Sequence, residues 1–242
     1  MNRFDPATFL SEFRREAEGR GFSCATLLET GAGPLLGFVR PGTGKPAYLS
    51  AGIHGDEPAG PLAALELLKA GAFDDGREWT LCPAVNPTGL AAGTRDTAAG
   101  FDINRDYLRR RTPEVLAHAA WLETRPTPGL FLSLHEDWET SGFYFYEINL
   151  ADDRPDLARS ILGAVSPWFP PEPSETIDDH EVRERGWIYH EARADFPDHW
   201  PEAIFLAESG CPLSFTFETP SSARMEDRIA AHVAAAKAVL KV

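Results

Sequence analysis

Ala47-Tyr48-Leu49-Ser50-Ala51-Gly52-Ile53-His54-Gly55-Asp56-Glu57-Pro58 is the stretch on which the fold turns. Its first seven residues form a compact, mostly apolar run, as in a strand covered on both faces, and Ala59 to Leu68 beyond the turn is predicted to be helical. Strand, turn and helix in succession is the repeating unit of α/β folds. Working outward, the spacing predicts a strand over Trp79 to Val85, a long glycine-bearing loop over Asn86 to Tyr107, a helix over Pro113 to Glu123 and a strand over Leu130 to Leu134. Further strands are predicted near Phe143 to Ile148 and Ser214 to Phe217, with helices near Arg154 to Val165 and Ala223 to Leu240. Upstream, Phe9, Leu10, Phe13 and Ala17 recur at helical spacing between about Pro6 and Arg20. Gly31-Ala32-Gly33-Pro34 then joins two extended runs, Phe22 to Glu29 and Leu35 to Val39, as a tight connection. The fold class is therefore an α/β sandwich. The stretch from Ser166 to Pro201 is rich in proline, charge and aromatics, and is expected to be an irregular cover within a single domain spanning 1–242.

Composition narrows the function. Lysine and arginine number 23 against 37 acidic residues, a formal charge of −14 that repels nucleic acid and anionic lipid. The N-terminal stretch is charged and amphipathic without an apolar signal core, so a soluble, cytoplasmic protein is expected. Cys24, Cys82 and Cys211 are odd in number and lack C-x-x-C spacing, which supports neither a disulfide framework nor a cysteine zinc site.

His54-x-x-Glu57 places an imidazole at a strand end and a carboxylate in the first turn of the following helix, close enough to share a metal ion. The spacing alone is as compatible with a turn histidine at a sheet edge, and His199-Trp-Pro-Glu202 repeats it with no strand before it. His135 discriminates between them, because it closes Leu130-Phe131-Leu132-Ser133-Leu134 as His54 closes its own strand. Ligand crevices of open α/β sheets lie at such strand ends, and two histidines, one glutamate and a water complete a catalytic zinc site. The neighbouring Glu136 and Asp137 are expected to point elsewhere. Arg95 and Arg105, in the long loop, could offer paired hydrogen bonds to a carboxylate, although surface arginines on a solvated loop would look alike. Phe215-Thr216-Phe217-Glu218 is an alternating strand whose terminal carboxylate could take a proton from a metal-activated water.

Taken together, His54-x-x-Glu57, Asn86-Pro-x-Gly89, Gly100-x-Asp102-x-Asn104-Arg105, His135 and Phe-Thr-Phe-Glu218 resemble the zinc carboxypeptidase family of the carboxypeptidase A type, in order and spacing, from about Tyr48 onward. The resemblance implies a three-layer α/β/α sandwich with a central mixed sheet and one Zn2+ per chain held by His54, Glu57 and His135. It further implies that Asp102 orients the first histidine, that Asn104 and Arg105 grip a terminal carboxylate, that Arg95 meets the oxyanion and that Glu218 is the general base. The stretch from Gly89 to Arg95 is shorter than in digestive carboxypeptidases, as in the related aspartoacylase and succinylglutamate desuccinylase branch. Against that branch, the residues after Glu218 read as one amphipathic helix, with no room for an appended β-rich domain. Tyr144, Tyr146 and Tyr189 all remain open as a substrate-closing tyrosine. The expected activity is metallocarboxypeptidase hydrolysis of an amide beside a free carboxylate. N-acyl amino acid deacylation and a non-catalytic zinc- or peptide-binding module are the alternatives. Expected partners are peptide or acyl amino acid substrates, with no nucleic acid and no membrane.

Overall fold

Asp5 begins the first helix, its carboxylate accepting from the backbone N–H of Ala7 at 3.1 Å while Pro6 opens the first turn. That helix, α1 (Pro6–Gly19), buries Phe9, Leu10, Phe13 and Ala17 as its spacing predicts. The architecture is that of a computed structural model describing residues 4–190 and 198–241. After α1 come β1 (Ser23–Leu28), β2 (Leu35–Arg40), β3 (Gly44–Ala51), α2 (Ala59–Lys69), β4 (Arg77–Cys82), α3 (Pro87–Ala92) and a single 3-10 turn, Ile103–Arg105. Then follow α4 (Pro113–Leu122), β5 (Leu130–Asp137), β6 (Tyr144–Asn149), α5 (Pro155–Val165), β7 (Thr176–Ile177), β8 (His180–Glu181), β9 (Trp187–Tyr189), α6 (Glu202–Glu208), β10 (Leu213–Pro220) and α7 (Met225–Leu240).

Eight strands form one mixed sheet in the order β1-β2-β4-β3-β5-β10-β6-β9. Its centre, β4-β3-β5-β10, is parallel, and the flanking pairs β1-β2, β2-β4 and β10-β6 are antiparallel. Side chains alternate between two cores. Ala47, Leu49 and Ala51 of β3 and Leu130, Leu132 and Leu134 of β5 join Phe13, Leu67, Ile161 and Val239 from α1, α2, α5 and α7. Tyr48 and Phe131 face the other way, toward Val115 and Ala119 of α4 and Phe205 of α6. The three-layer sandwich and mixed sheet implied by the motifs are both present.

Several local expectations change. The Asn86–Tyr107 loop contains α3, which Asn86 caps by accepting from Gly89 N at 2.8 Å and which Gly93 ends in a left-handed conformation (φ 68°). Its glycines conceal a helix too short to show periodicity. The 166–201 segment is not wholly irregular, since β7 and β8 pair as a hairpin and β9 extends the main sheet beside β6. Residues 191–197 of that segment lie outside the described residues. Glu57 precedes α2 instead of lying in its first turn, and His135 lies inside β5, which runs on to Asp137.

Candidate active site

Register places the site on the α4/α6 face of the sheet. Glu218 of β10 lies beside His135 of β5 on one side and Tyr144 of β6 on the other. One step deeper, Ser50, Ser133, Thr216 and Tyr146 stand abreast on β3, β5, β10 and β6. His54 and Glu57 come from the turn between β3 and α2. A Cβ at Gly55 would lie 1.9 Å from the Gly89 backbone, so that turn packs main chain against main chain on α3. Gly55 N also donates to Arg95 O at 3.3 Å, which brings the loop arginine to the same place.

His54, Glu57 and His135 gather as expected, with one ligand atom from each lying within 4.8 Å of the others. Both imidazoles turn Nδ1 toward the Glu57 carboxylate, at 2.5 Å for His54 and 3.0 Å for His135. Nε2 of His54 faces Asp102 Oδ1 at 3.4 Å, placing Asp102 behind the ring as anticipated. All three side chains are buried, and Glu57 Oε2 has no hydrogen bond of good geometry among the described residues. Burial alone would push the Glu57 carboxyl up, but His54 and His135 outweigh it and hold it well below the usual range. His54 is raised, Glu57 overcoming the effect of burial, whereas burial lowers His135. Two imidazole nitrogens and a carboxylate oxygen left short of a donor form a donor set that fits zinc.

The remaining residues line the same cavity of about 470 Å³. Arg95 reaches Asp102 through Nε (3.1 Å) and Nη2 (3.0 Å), and its Nη1 stands 3.3 Å from His54 Nδ1. Asp102 caps the 3-10 turn by accepting from Asn104 N at 2.9 Å, which holds Asn104 and Arg105 at the cavity wall. Glu218 is buried, and its carboxyl is raised well above the ordinary value by burial and by the neighbouring charge of Glu57. Of the three candidate tyrosines, Tyr144 and Tyr146 line the cavity, bonded to Asp137 (3.0 Å) and Asp178 (2.8 Å). Tyr189 donates instead to Asn149 O at 3.1 Å. Glu136 and Asp137 both line the cavity, contrary to expectation, although the Glu136 oxygens are engaged by Ala59 N and Arg228.

His199 is exposed and takes no part in the cluster. Glu202 is a different matter: it lines the cavity, as does Ser133. Sequence reasoning set Glu202 aside and overlooked Ser50 and Ser133. The available signal was a lone serine at the same register of two adjoining apolar strands.

The family model described as succinylglutamate desuccinylase/aspartoacylase catalytic domain matches residues 43–127, the segment from β3 through α4. A protein of Arthroderma benhamiae named "Probable carboxypeptidase 2" is 31% identical over 102 residues, covering 37% of this chain and 18% of that protein. The match thus spans under a fifth of that relative's length. Among solved structures, a protein of Shewanella amazonensis provisionally named a metallopeptidase is 28% identical, with a TM-score of 0.82 over 94% of this chain and 89% of its own. The metallo-carboxypeptidase of Burkholderia cenocepacia shares the fold, with 20% identity and a TM-score of 0.69 over 97% of this chain and 67% of its own. In motif order and sheet architecture the chain has the fold of the metallocarboxypeptidases, and it resembles the succinylglutamate desuccinylase/aspartoacylase catalytic domain over residues 43–127.

Proposed function

We propose that the chain is a zinc-dependent metallocarboxypeptidase that hydrolyses an amide bond beside a free carboxylate, with 1–242 acting as one catalytic domain. The supporting observation is that a single cavity is lined by His54, Glu57 and His135, by Arg95, Asn104 and Arg105, and by Glu218. Zinc on such ligands supplies a water with a pKa of about 7 and polarises a carbonyl. Asp102, whose Oδ1 lies 3.4 Å from Nε2 of His54, would hold the proton on that nitrogen and so leave Nδ1 free to act as a ligand. Glu218 takes the proton of the attacking water and returns it to the leaving amine. Arg95 offsets charge developing on the carbonyl oxygen. Asn104 and Arg105 hold the substrate's carboxylate and thereby its register.

Turnover of a blocked dipeptide with a free carboxylate, compared with its C-terminal amide, tests the reading. Losing the charge-assisted contact between the substrate carboxylate and Arg105 should slow the amide by roughly 10²-fold or more, and Arg105→Ala should narrow that gap. Equal rates on acid and amide would remove the exopeptidase reading. The match over residues 43–127 supports a second reading, N-acyl amino acid deacylation, which the same assay resolves if acyl amino acids are included. A pure binding module would have no use for Glu218, and absence of turnover on every substrate by the zinc-loaded protein would favour it.

A further inference from the structure

The proposed chemistry leaves Glu202 without a task, although it is only 1% exposed and lies on the cavity wall. Among the described residues no lysine or arginine pairs with it. The His118 ring approaches to 3.9 Å, but burial pushes that imidazole down to about 3, so it is neutral. A carboxylate buried without a cation is costly, and an apolar side chain of the same size would avoid that cost.

Its hydrogen bonds have a single consistent polarity. A carboxylate only accepts, so Tyr48 O–H donates to Oε1 at 2.6 Å and Ser50 O–H donates to Oε2 at 2.7 Å. With its proton so committed, the Tyr48 oxygen accepts from His118 Nε2–H at 2.9 Å. Nδ1 of His118 then accepts from Tyr107 O–H at 2.8 Å. Tyr107 N donates to Trp200 O at 3.2 Å, which ties the segment after Asn104 to the approach to α6. The backbone N–H of Glu202 itself donates to Asn104 Oδ1 at 3.0 Å. That contact settles the orientation of the amide: Oδ1 turns to the Glu202 backbone, which makes Nδ2 the donor that this cavity-lining side chain can offer.

We infer that Glu202 is a positioning residue: gripped by Tyr48 and Ser50, it holds in place the backbone N–H that orients Asn104, and so sets a carboxylate-facing donor of the cavity. The inference rests on the proposed role of Asn104 at the substrate's carboxylate. It requires that loosening the grip disturb Asn104 while leaving the metal ligands untouched.

The test uses the zinc-loaded full chain and the variants Glu202→Leu, Glu202→Gln and Tyr48→Phe, the last keeping the carboxylate if the leucine variant does not fold. Two readouts are taken: the side-chain amide signal of Asn104 in 15N NMR spectra, and kcat and KM for the blocked dipeptide acid. In Glu202→Leu and Tyr48→Phe the Asn104 signal should shift or broaden. KM should rise about tenfold, the worth of one hydrogen bond, with kcat nearly unchanged and zinc stoichiometry intact. Glu202→Gln still accepts from Tyr48 through its amide oxygen and should stay close to wild type in both readouts. A folded Tyr48→Phe or Glu202→Leu protein whose Asn104 signal does not change overturns the inference, as does a fall in kcat at constant KM. If wild type turns over no substrate but the Asn104 signal still responds, the proposed function fails and the positioning role stands.

Discussion

Arg228→Ala offers the sharpest test of how the proposed metal ligands are held. Glu136 follows His135 in β5, its side chain is fully buried, and its carboxylate accepts from Ala59 N at 2.6 Å and from Arg228 on α7. A single carboxylate thus joins the strand carrying His135, the start of the helix that follows Glu57, and α7. Removing one partner of a buried pair costs about 3–5 kcal/mol. Here the lower end applies, because burial already pushes the Glu136 carboxyl up to about 7 with Arg228 beside it, and protonation relieves part of the loss. For a chain of this size about 3 kcal/mol corresponds to a Tm lower by roughly 6–12 °C. Urea and thermal unfolding of the chelated protein would measure it, and chelator competition should show weaker zinc binding. The double variant Glu136→Gln/Arg228→Met, which leaves no charge stranded, should recover most of the stability. A stability loss below about 1 kcal/mol, together with unaltered zinc affinity, would refute the reasoning.

Three further expectations follow from the site. His135→Ala should abolish stoichiometric zinc binding while His199→Ala, at an exposed residue outside the cluster, should not; equal zinc content in the two variants would undo the ligand assignment. Glu218→Gln should keep zinc and fold but slow hydrolysis by roughly 10²- to 10⁴-fold, and activity within a few-fold of wild type would exclude it as the base. Burial pushes the Glu202 carboxyl up to about 7 in surroundings made of Tyr48, Ser50, His118, Tyr107 and Cys82. Between the ordinary glutamate value and that one, the unfolded chain loses this proton first, so folding stability should fall as pH rises from about 4.5 to 7, by at most about 1.4 kcal/mol per pH unit. Unfolding titrations of wild type against Glu202→Gln isolate this contribution, which is absent if the two profiles run parallel.

The central strands were legible because β3 and β5 are covered on both faces, which leaves nearly unbroken apolar runs that end where the ligands begin. His54, Glu57 and His135 could be placed from those ends alone. The assignments of Asp102, Asn104 and Arg105 needed the resemblance to the zinc carboxypeptidase motif order, since a turn capped by its own aspartate has no periodicity. Glu202 was illegible for a different reason. Its meaning depends on Tyr48 and Ser50, more than 150 residues away in sequence, and on α6, a helix of seven residues entered through Pro201 without a side-chain cap. The short strands β7 to β9 escaped for the same reason as α3: two or three residues cannot display alternation.

The strand order also carries a timetable. β10 lies between β5 and β6 although it follows both in the chain, so in a sheet assembled in chain order it would insert into a gap and not add to an edge. Until it does, β5 and β6 each present an unpaired edge, open to association with other chains. His54, Glu57 and His135 all lie before β10 in the chain, whereas Glu218 lies on it. In a refolding time course, zinc uptake should therefore precede the recovery of hydrolysis. A chain stalled between the two would hold its metal and remain inert.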